Sequence, residues 1–359
     1  MLANFASVAV NERESVSNEK IASTMKFGKN LMVECSPLSD EMEVEKEEGV
    51  AWYYKTFFFF GAIILVVVQF FLVLILLPFA KEGGKDEAEK VKRLLRKARG
   101  PSIFFGALHW TLNEVHNGIT TARALHAIYG APVLLRSWKG FCGWFLRLWF
   151  GFPPAAGLRN RLRWIHSSIF AELATLAVRG KDEIRLVSIA CGSAVAMIEA
   201  TSKFVKLFPQ VKVEINLVDL NKAALRHASE LAIARGLKVG NSVDDQVKII
   251  ETDLKTFIQT NHGFDIVEFV GFMDYREVNS VKELINSVVN MTVKGGVVFT
   301  TLIRKSCWRP VIRWIVGWVK LIYRDPTTIK EIISHNNCYA SVETEATKQH
   351  MLITLRRIF

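Results

Sequence analysis

From about residue 183 onward, short apolar runs alternate with longer amphipathic ones, and this rhythm predicts alternating strands and helices. Residues 184–190, 212–219, 247–251, 264–270 and 296–301 read as strands that are apolar on both faces. Residues 195–208, 221–235 and 278–291 carry apolar side chains three and four apart and read as helices. Strands of this kind, joined by helices, form a mainly parallel sheet covered on both sides. The last two candidates, 341–345 and 351–358, have too little chain between them for a crossover helix, so an antiparallel hairpin is expected. The expected fold over 181–359 is therefore an α/β domain with a seven-stranded sheet and a closing hairpin.

Upstream the pattern changes. Residues 102–180 are helical in periodicity and broken at 130–132 and 151–154, so 82–180 reads as a helical juxtamembrane and lead-in region. The stretch 56–80, TFFFFGAIILVVVQFFLVLILLPFA, contains no charge. At a rise of about 1.5 Å per residue it reaches ~37 Å, enough to cross a hydrocarbon core of ~30 Å with some tilt. One transmembrane helix is expected there. Lys81, Lys85, Lys90, Lys92, Arg93, Arg96, Lys97 and Arg99 follow it closely, whereas only Lys46 and Lys55 lie near its start. This asymmetry places the C-terminal body in the cytoplasm and the N-terminus outside or in a lumen. Residues 1–50 hold five Lys/Arg against ten Asp/Glu without sustained periodicity, and are expected to be disordered.

The formal net charge is +11, so with an acidic N-terminus the body is strongly basic, which suits an anionic partner such as a membrane surface. No nucleic-acid-reading module is evident, and nucleic acid is not expected. Trp308, Trp314 and Trp318 sit among Arg304, Lys305, Arg309, Arg313 and Lys320, as an interfacial helix would have them. Arg159, Arg161 and Arg163 read as a solvated or lipid-facing cluster. Five scattered cysteines without a Cys-x-x-Cys pair give neither a disulfide framework nor a zinc site. His109, Asn113 and His116 share a helical face but lack a third strong ligand, so no metal is expected.

In an open sheet of this type ligands bind beyond the carboxyl ends of the strands. After the first predicted strand come Ala190, Cys191, Gly192, Ser193 and Ala194, all small, before a helix with unpaired N–H groups. The second strand ends at Asp219, the third is followed by Asp253, and the fourth by Gly271, Asp274 and Tyr275. This constellation resembles the class I S-adenosylmethionine-dependent methyltransferases, with a Rossmann-like sheet, over roughly 184–359. The segments FDIVEFVGFMDY, GGVVFTTLIRK and WVKLIYR further resemble a divergent bacterial-type subgroup with a Gly-x-x-Asp-Tyr loop and a downstream Tyr-Arg pair. The resemblance implies S-adenosyl-L-methionine as cofactor. It would be held by Ser188, Ala190, Cys191, Gly192, Ala194, Asp219, Leu220, Asp253, Leu254 and Gly271. Asp219 would take the ribose hydroxyls and Asp253 the adenine.

The first loop departs from the family pattern Asp/Glu-x-Gly-x-Gly-x-Gly, running Ser188-x-Ala190-x-Gly192-x-Ala194. Alanine is tolerable at two glycine positions if neither needs a positive φ. The missing acid commonly orients the loop and the cofactor's amino group, and Ser188 could do part of that work. Asp274 and Tyr275 are the candidate catalytic residues; a base is needed if the acceptor is a hydroxyl. Asp274 is alternatively a helix N-cap near Val278. Tyr323 and Arg324 are candidate substrate-binding residues, Arg324 for an acceptor carboxylate or phosphate. The acceptor is expected to be a small, lipophilic or membrane-associated molecule. Two other readings remain: a catalytically silent, membrane-tethered scaffold, and an NAD(P)-dependent oxidoreductase. The latter wants a glycine or alanine where Val195 stands.

Overall fold

Pro153 and Pro154 occupy the first positions of a 26-residue helix, α1 (Pro153–Val178), where a missing N–H costs nothing and the fixed φ suits a helix start. The computed structural model describes residues 150–309, 312, 321–333 and 338–358, together with single positions 60, 64, 67, 71, 125, 128 and 129. After α1 the chain runs β1 (Glu183–Ile189), α2 (Val195–Leu207), β2 (Lys212–Asp219), α3 (Lys222–Ala234), β3 (Val247–Glu251), α4 (Leu254–Thr260) and β4 (Phe264–Val270). A 3-10 turn (Phe272–Tyr275), α5 (Val278–Met291), β5 (Thr292–Ile303), α6 (Pro326–Ile333), β6 (Cys338–Thr344) and β7 (His350–Arg357) complete the fold.

The seven strands form one sheet in the order β3-β2-β1-β4-β5-β7-β6. The first five are mutually parallel, while β7 runs antiparallel to both β5 and β6. The expected seven-stranded sheet with a closing hairpin is present, and it fits a Rossmann-like α/β fold. The chain moves outward from β1 to β3, then returns to the other side of β1 at β4, so the order reverses between β1 and β4. That is where a crevice opens in such a sheet. Two helices had no clear sequence signal. The seven-residue α4 starts from the Asp253 cap, and α6 is short and opened by Pro326.

Each face of the sheet carries its own apolar layer. Ile169 and Leu173 of α1, Met197 and Phe204 of α2 and Leu225 of α3 pack against one face. Phe257 of α4, Val281 and Ile285 of α5 and Ile329 of α6 pack against the other. The helix α1, read from sequence as part of a lead-in, thus shares the core of the sheet. The Glu172 carboxylate and the Arg356 guanidinium join it to β7 by two bonds of 2.9 and 2.6 Å.

The N-terminal half of α1 is pinned at the opposite end by Glu345. This buried carboxylate accepts from Asn160 Nδ2 at 3.1 Å and from the backbone N–H groups of Thr347, Gln349 and His350. The Thr347 hydroxyl donates to it as well. The approach is close enough that a Cβ on Gly157 would lie 2.8 Å from Thr347 Oγ1 and 3.0 Å from Gln349 Cβ.

Among the described residues no helix is long and apolar enough to cross a membrane. The 56–80 stretch lies outside them except for Phe60, Ile64, Val67 and Phe71, which are helical, spaced along one face, and exposed. Residues 1–50, the His109–Asn113–His116 face, Trp314 and Trp318 also lie outside them.

A Gly157→Ala substitution is expected to lower unfolding stability by about 1–3 kcal/mol through overpacking. Urea denaturation of the full chain measures this as a lower midpoint with unchanged slope.

Candidate functional site

A cavity of about 930 Å³ opens over the carboxyl ends of β1 to β4 and is roofed by the first turns of α1. Its floor is the loop after β1. Ala190, Gly192 and Ala194 all take positive φ (50°, 55° and 48°), so every second residue is left-handed. Both alanines therefore adopt the positive φ that glycine favours, and the condition under which alanine was expected to be tolerable there is not met. Left-handed backbone costs a non-glycine residue roughly 1–2 kcal/mol, which the surrounding bonds must offset. Cys191 N–H donates to Val218 O, Ala194 N–H to Cys191 O, and Gly192 N–H to Asp219 Oδ2 at 2.9 Å. Among the described residues nothing lies within 4 Å of where a Gly192 Cβ would be, so the loop presents bare backbone at this position.

The carboxyl-end acids follow their expected places. Asp219 ends β2 with its other oxygen accepting from Asn221 N–H at 2.8 Å. Asn221 in turn caps α3, accepting from the N–H groups of Ala223 and Ala224. Asp253 caps α4 through Thr256 N–H and the Thr256 hydroxyl, and the hydroxyl bond is the main cause holding it below the usual carboxylate range. Each carboxylate oxygen keeps acceptor capacity beyond these bonds. Asp219, Leu220, Asp253, Leu254 and Gly271 all line the cavity, as do Ser188 and the loop residues Ala190, Cys191, Gly192 and Ala194. Burial, then the charges of Asp219 and Glu268, push the Cys191 thiol well above its usual range, which disfavours the thiolate.

Asp274 and Tyr275 also line the cavity, carried by the 3-10 turn after Gly271. Asp274 is not a helix N-cap. Its Oδ1 accepts from Ile303 N–H at 2.7 Å, and its carbonyl accepts from Ile322 N–H. Burial raises its pKa to about 6, against the opposing pull of Arg161, the Ile303 N–H and Arg324.

Tyr323 and Arg324 are placed elsewhere. Neither lines the cavity, and Arg324 is buried with its guanidinium donating to the carbonyls of Ile322, Met273 and Arg276. It braces the Asp274 turn from behind. Arg161 does line the cavity and is only 5% exposed, so the expectation of a solvated or lipid-facing arginine cluster is corrected here. Arg159 is equally buried. The reason is that α1 lies across the strand ends instead of on the surface. Arg161 donates to the Tyr129 hydroxyl at 3.4 Å and acts through space on Asp274 and Glu268.

Two further cavity residues had no place in the sequence reading. His350 opens β7 at the back of the cavity, and burial and then Arg161 hold it neutral. Glu268 lies in β4, 7% exposed, with Oε2 lacking a hydrogen-bond partner among the described residues. Burial raises its pKa to about 7, with Ser188 and Arg161 pulling the other way. The available signal was a glutamate between the apolar pairs Ile266–Val267 and Phe269–Val270, a charge no buried strand carries without cause. Among the described residues no group of three or more His, Cys, Asp or Glu could hold a metal ion.

The Glu268 shift makes stability depend on pH. Stability tied to its protonated form is fully present below the ordinary value of 4.5 and is lost as pH rises through about 7. Relative to a Glu268→Gln variant, the ligand-free protein is therefore expected to lose on the order of 3 kcal/mol between pH 4.5 and 8. Denaturant midpoints of both proteins across that range measure the divergence.

No protein-family model matches the chain, and no curated protein matches it. Among solved structures it is similar to a possible exported protein from Bordetella parapertussis, at 13% identity and a TM-score of 0.55, over 75% of this chain and 88% of that one. It is also similar to magnesium protoporphyrin IX methyltransferase from Synechocystis PCC 6803 with bound SAH, at 12% identity and a TM-score of 0.40, over 56% and 87%. A third is an O-methyltransferase family protein from Burkholderia thailandensis, at 12% identity and a TM-score of 0.42, over 68% and 63%. The likeness to the Bordetella protein is one of fold.

Proposed function

We propose that the protein is a membrane-anchored methyltransferase that uses S-adenosyl-L-methionine on a small amphiphilic acceptor. The observation that carries this reading is the bond from Gly192 N–H to Asp219, which ties a loop of small, left-handed residues to the acid ending β2. That bond leaves bare loop backbone and a carboxylate facing one cavity at the point where the strand order reverses. The donor set fits the ligand. Asp219 has acceptor capacity left for a ribose diol, Asp253 stands just past β3 for an adenine amino group, and Glu268 holds a buried oxygen without a partner among the described residues.

When bound, the cofactor supplies an electrophilic methyl on a sulfonium. The chain's part is positioning and proton handling. Asp274, with its pKa raised to about 6, is ionised at neutral pH yet close enough to it to accept a proton from an acceptor hydroxyl. Arg161 favours that ionised form and presents a cation to the acceptor side of the cavity. Leu125, Ile128, Phe150, Phe152 and Leu158 supply an apolar wall suited to a lipophilic body.

Membrane anchoring rests on the uncharged 56–80 run, with Phe60, Ile64, Val67 and Phe71 exposed along one helical face. The basic residues following that run support a catalytic domain on the cytoplasmic side.

Calorimetry on the full chain in detergent tests the reading. S-adenosylmethionine is expected to bind with micromolar affinity, and Asp219→Ala to weaken it by at least ~10-fold, equivalent to about 1.4 kcal/mol. Absence of both binding heat and thermal stabilisation by the cofactor would overturn it. Binding without turnover on membrane extracts would turn the reading toward a silent scaffold.

A further inference from the structure

The family-type loop ends its first strand with an acid, and here that position is Ser188. In the parallel ladder between β1 and β4, Ser188 is paired directly with Glu268. Register partners on adjacent strands, about 4.8 Å apart, send their side chains to the same face of the sheet. Ser188 acts on Glu268 as a polar neighbour that lowers its pKa, and both line the cavity. They also sit at the reversal between β1 and β4. A carboxylate is thus delivered to the place where β1 lacks one, by the neighbouring strand.

The state of that carboxylate points to a ligand. Glu268 is more than nine-tenths buried, and its Oε2 has no hydrogen-bond partner among the described residues. A buried carboxylate oxygen left unpaired costs free energy that a purely structural residue would not retain without compensation. Arg161 reaches Glu268 only through space, and its own hydrogen bond goes to Tyr129. Glu268 is one of the residues lining the cavity, and its open oxygen is in need of a donor.

We propose that Glu268, oriented by Ser188, forms a subsite for the α-amino group of the amino-acid part of the cofactor. An ammonium there donates to Oε2 in a charge-assisted bond, and Ser188 Oγ offers a second acceptor beside it. The role usually carried by an acid at the end of β1 has moved one strand across the sheet. This inference rests on the S-adenosylmethionine reading of the cavity.

The test compares two probes by calorimetry on the full chain in detergent at fixed pH. S-adenosylhomocysteine carries the amino-acid part, whereas 5′-methylthioadenosine has the same nucleoside and sulfur without it. Glu268→Gln keeps the volume and the contact with Ser188. It is expected to weaken S-adenosylhomocysteine by ~10- to 100-fold, the loss of a hydrogen bond to a charged group, and to leave methylthioadenosine within about twofold. Adding Ser188→Asp to that variant is expected to recover most of the lost affinity, which a merely structural role for Glu268 would not predict. Equal weakening of both probes, or of neither, overturns the subsite while leaving the cofactor reading intact. If the unaltered protein binds neither probe, both fall together.

Discussion

The clamp between α1 and the β6–β7 turn is the contact on which the site depends. Glu345 gathers three backbone N–H groups, a threonine hydroxyl and the Asn160 amide around one buried carboxylate. Such a carboxylate is tolerable in the interior because donors on all sides replace its water. Gly157 lets the helix come close enough for that bond to form. One turn further along α1, Arg161 is thereby suspended over the carboxyl ends of β1 and β4. Without the clamp the cavity would have a floor and no roof.

Beneath that roof, polar groups are set at the boundary between the two apolar layers. Ser188, Glu268 and Asp274 sit just where the strand order reverses, and Arg161 and His350 close over them. Burial pushes the two acids toward neutrality, while Arg161 pulls both the other way and disfavours protonation of His350. Arg161 is thus the buried cation common to all three groups, with Arg324 acting on Asp274 as well. Arg324 works behind the wall, tying the carbonyls of the Asp274 turn so that the carboxylate keeps its bond to Ile303.

The loop after β1 shows how local strain is sustained by tertiary bonds. Two alanines are left-handed, and nothing in their own chemistry favours that. The bonds from Cys191 to Val218 and from Gly192 to Asp219 hold the chain in place, and both partners come from β2. The price of the backbone conformation is offset across the sheet, and the gain is a concave surface of small residues at the strand end.

The alternation of strands and helices after residue 183 was legible because burial on both faces of a parallel sheet demands continuous apolar runs, and helices between them demand a 3.6-residue period. Asp219, Asp253 and Asp274 were legible for a related reason. Residues just past a strand's carboxyl end must face the crevice, whatever the details of packing. What α1 does was not legible. Its arginines are spaced as on any solvated helix, and only the long-range contacts of Gly157, Asn160 and Glu172 with the C-terminal hairpin turn Arg161 inward. Arg324 carried the opposite ambiguity, since a guanidinium can bind a ligand or main-chain carbonyls, and only the path of the chain decides which. Glu268 was hidden by register. A strand's sequence tells which side chains share a face, but which residue of the next strand lies beside them is decided by pairing across the sheet.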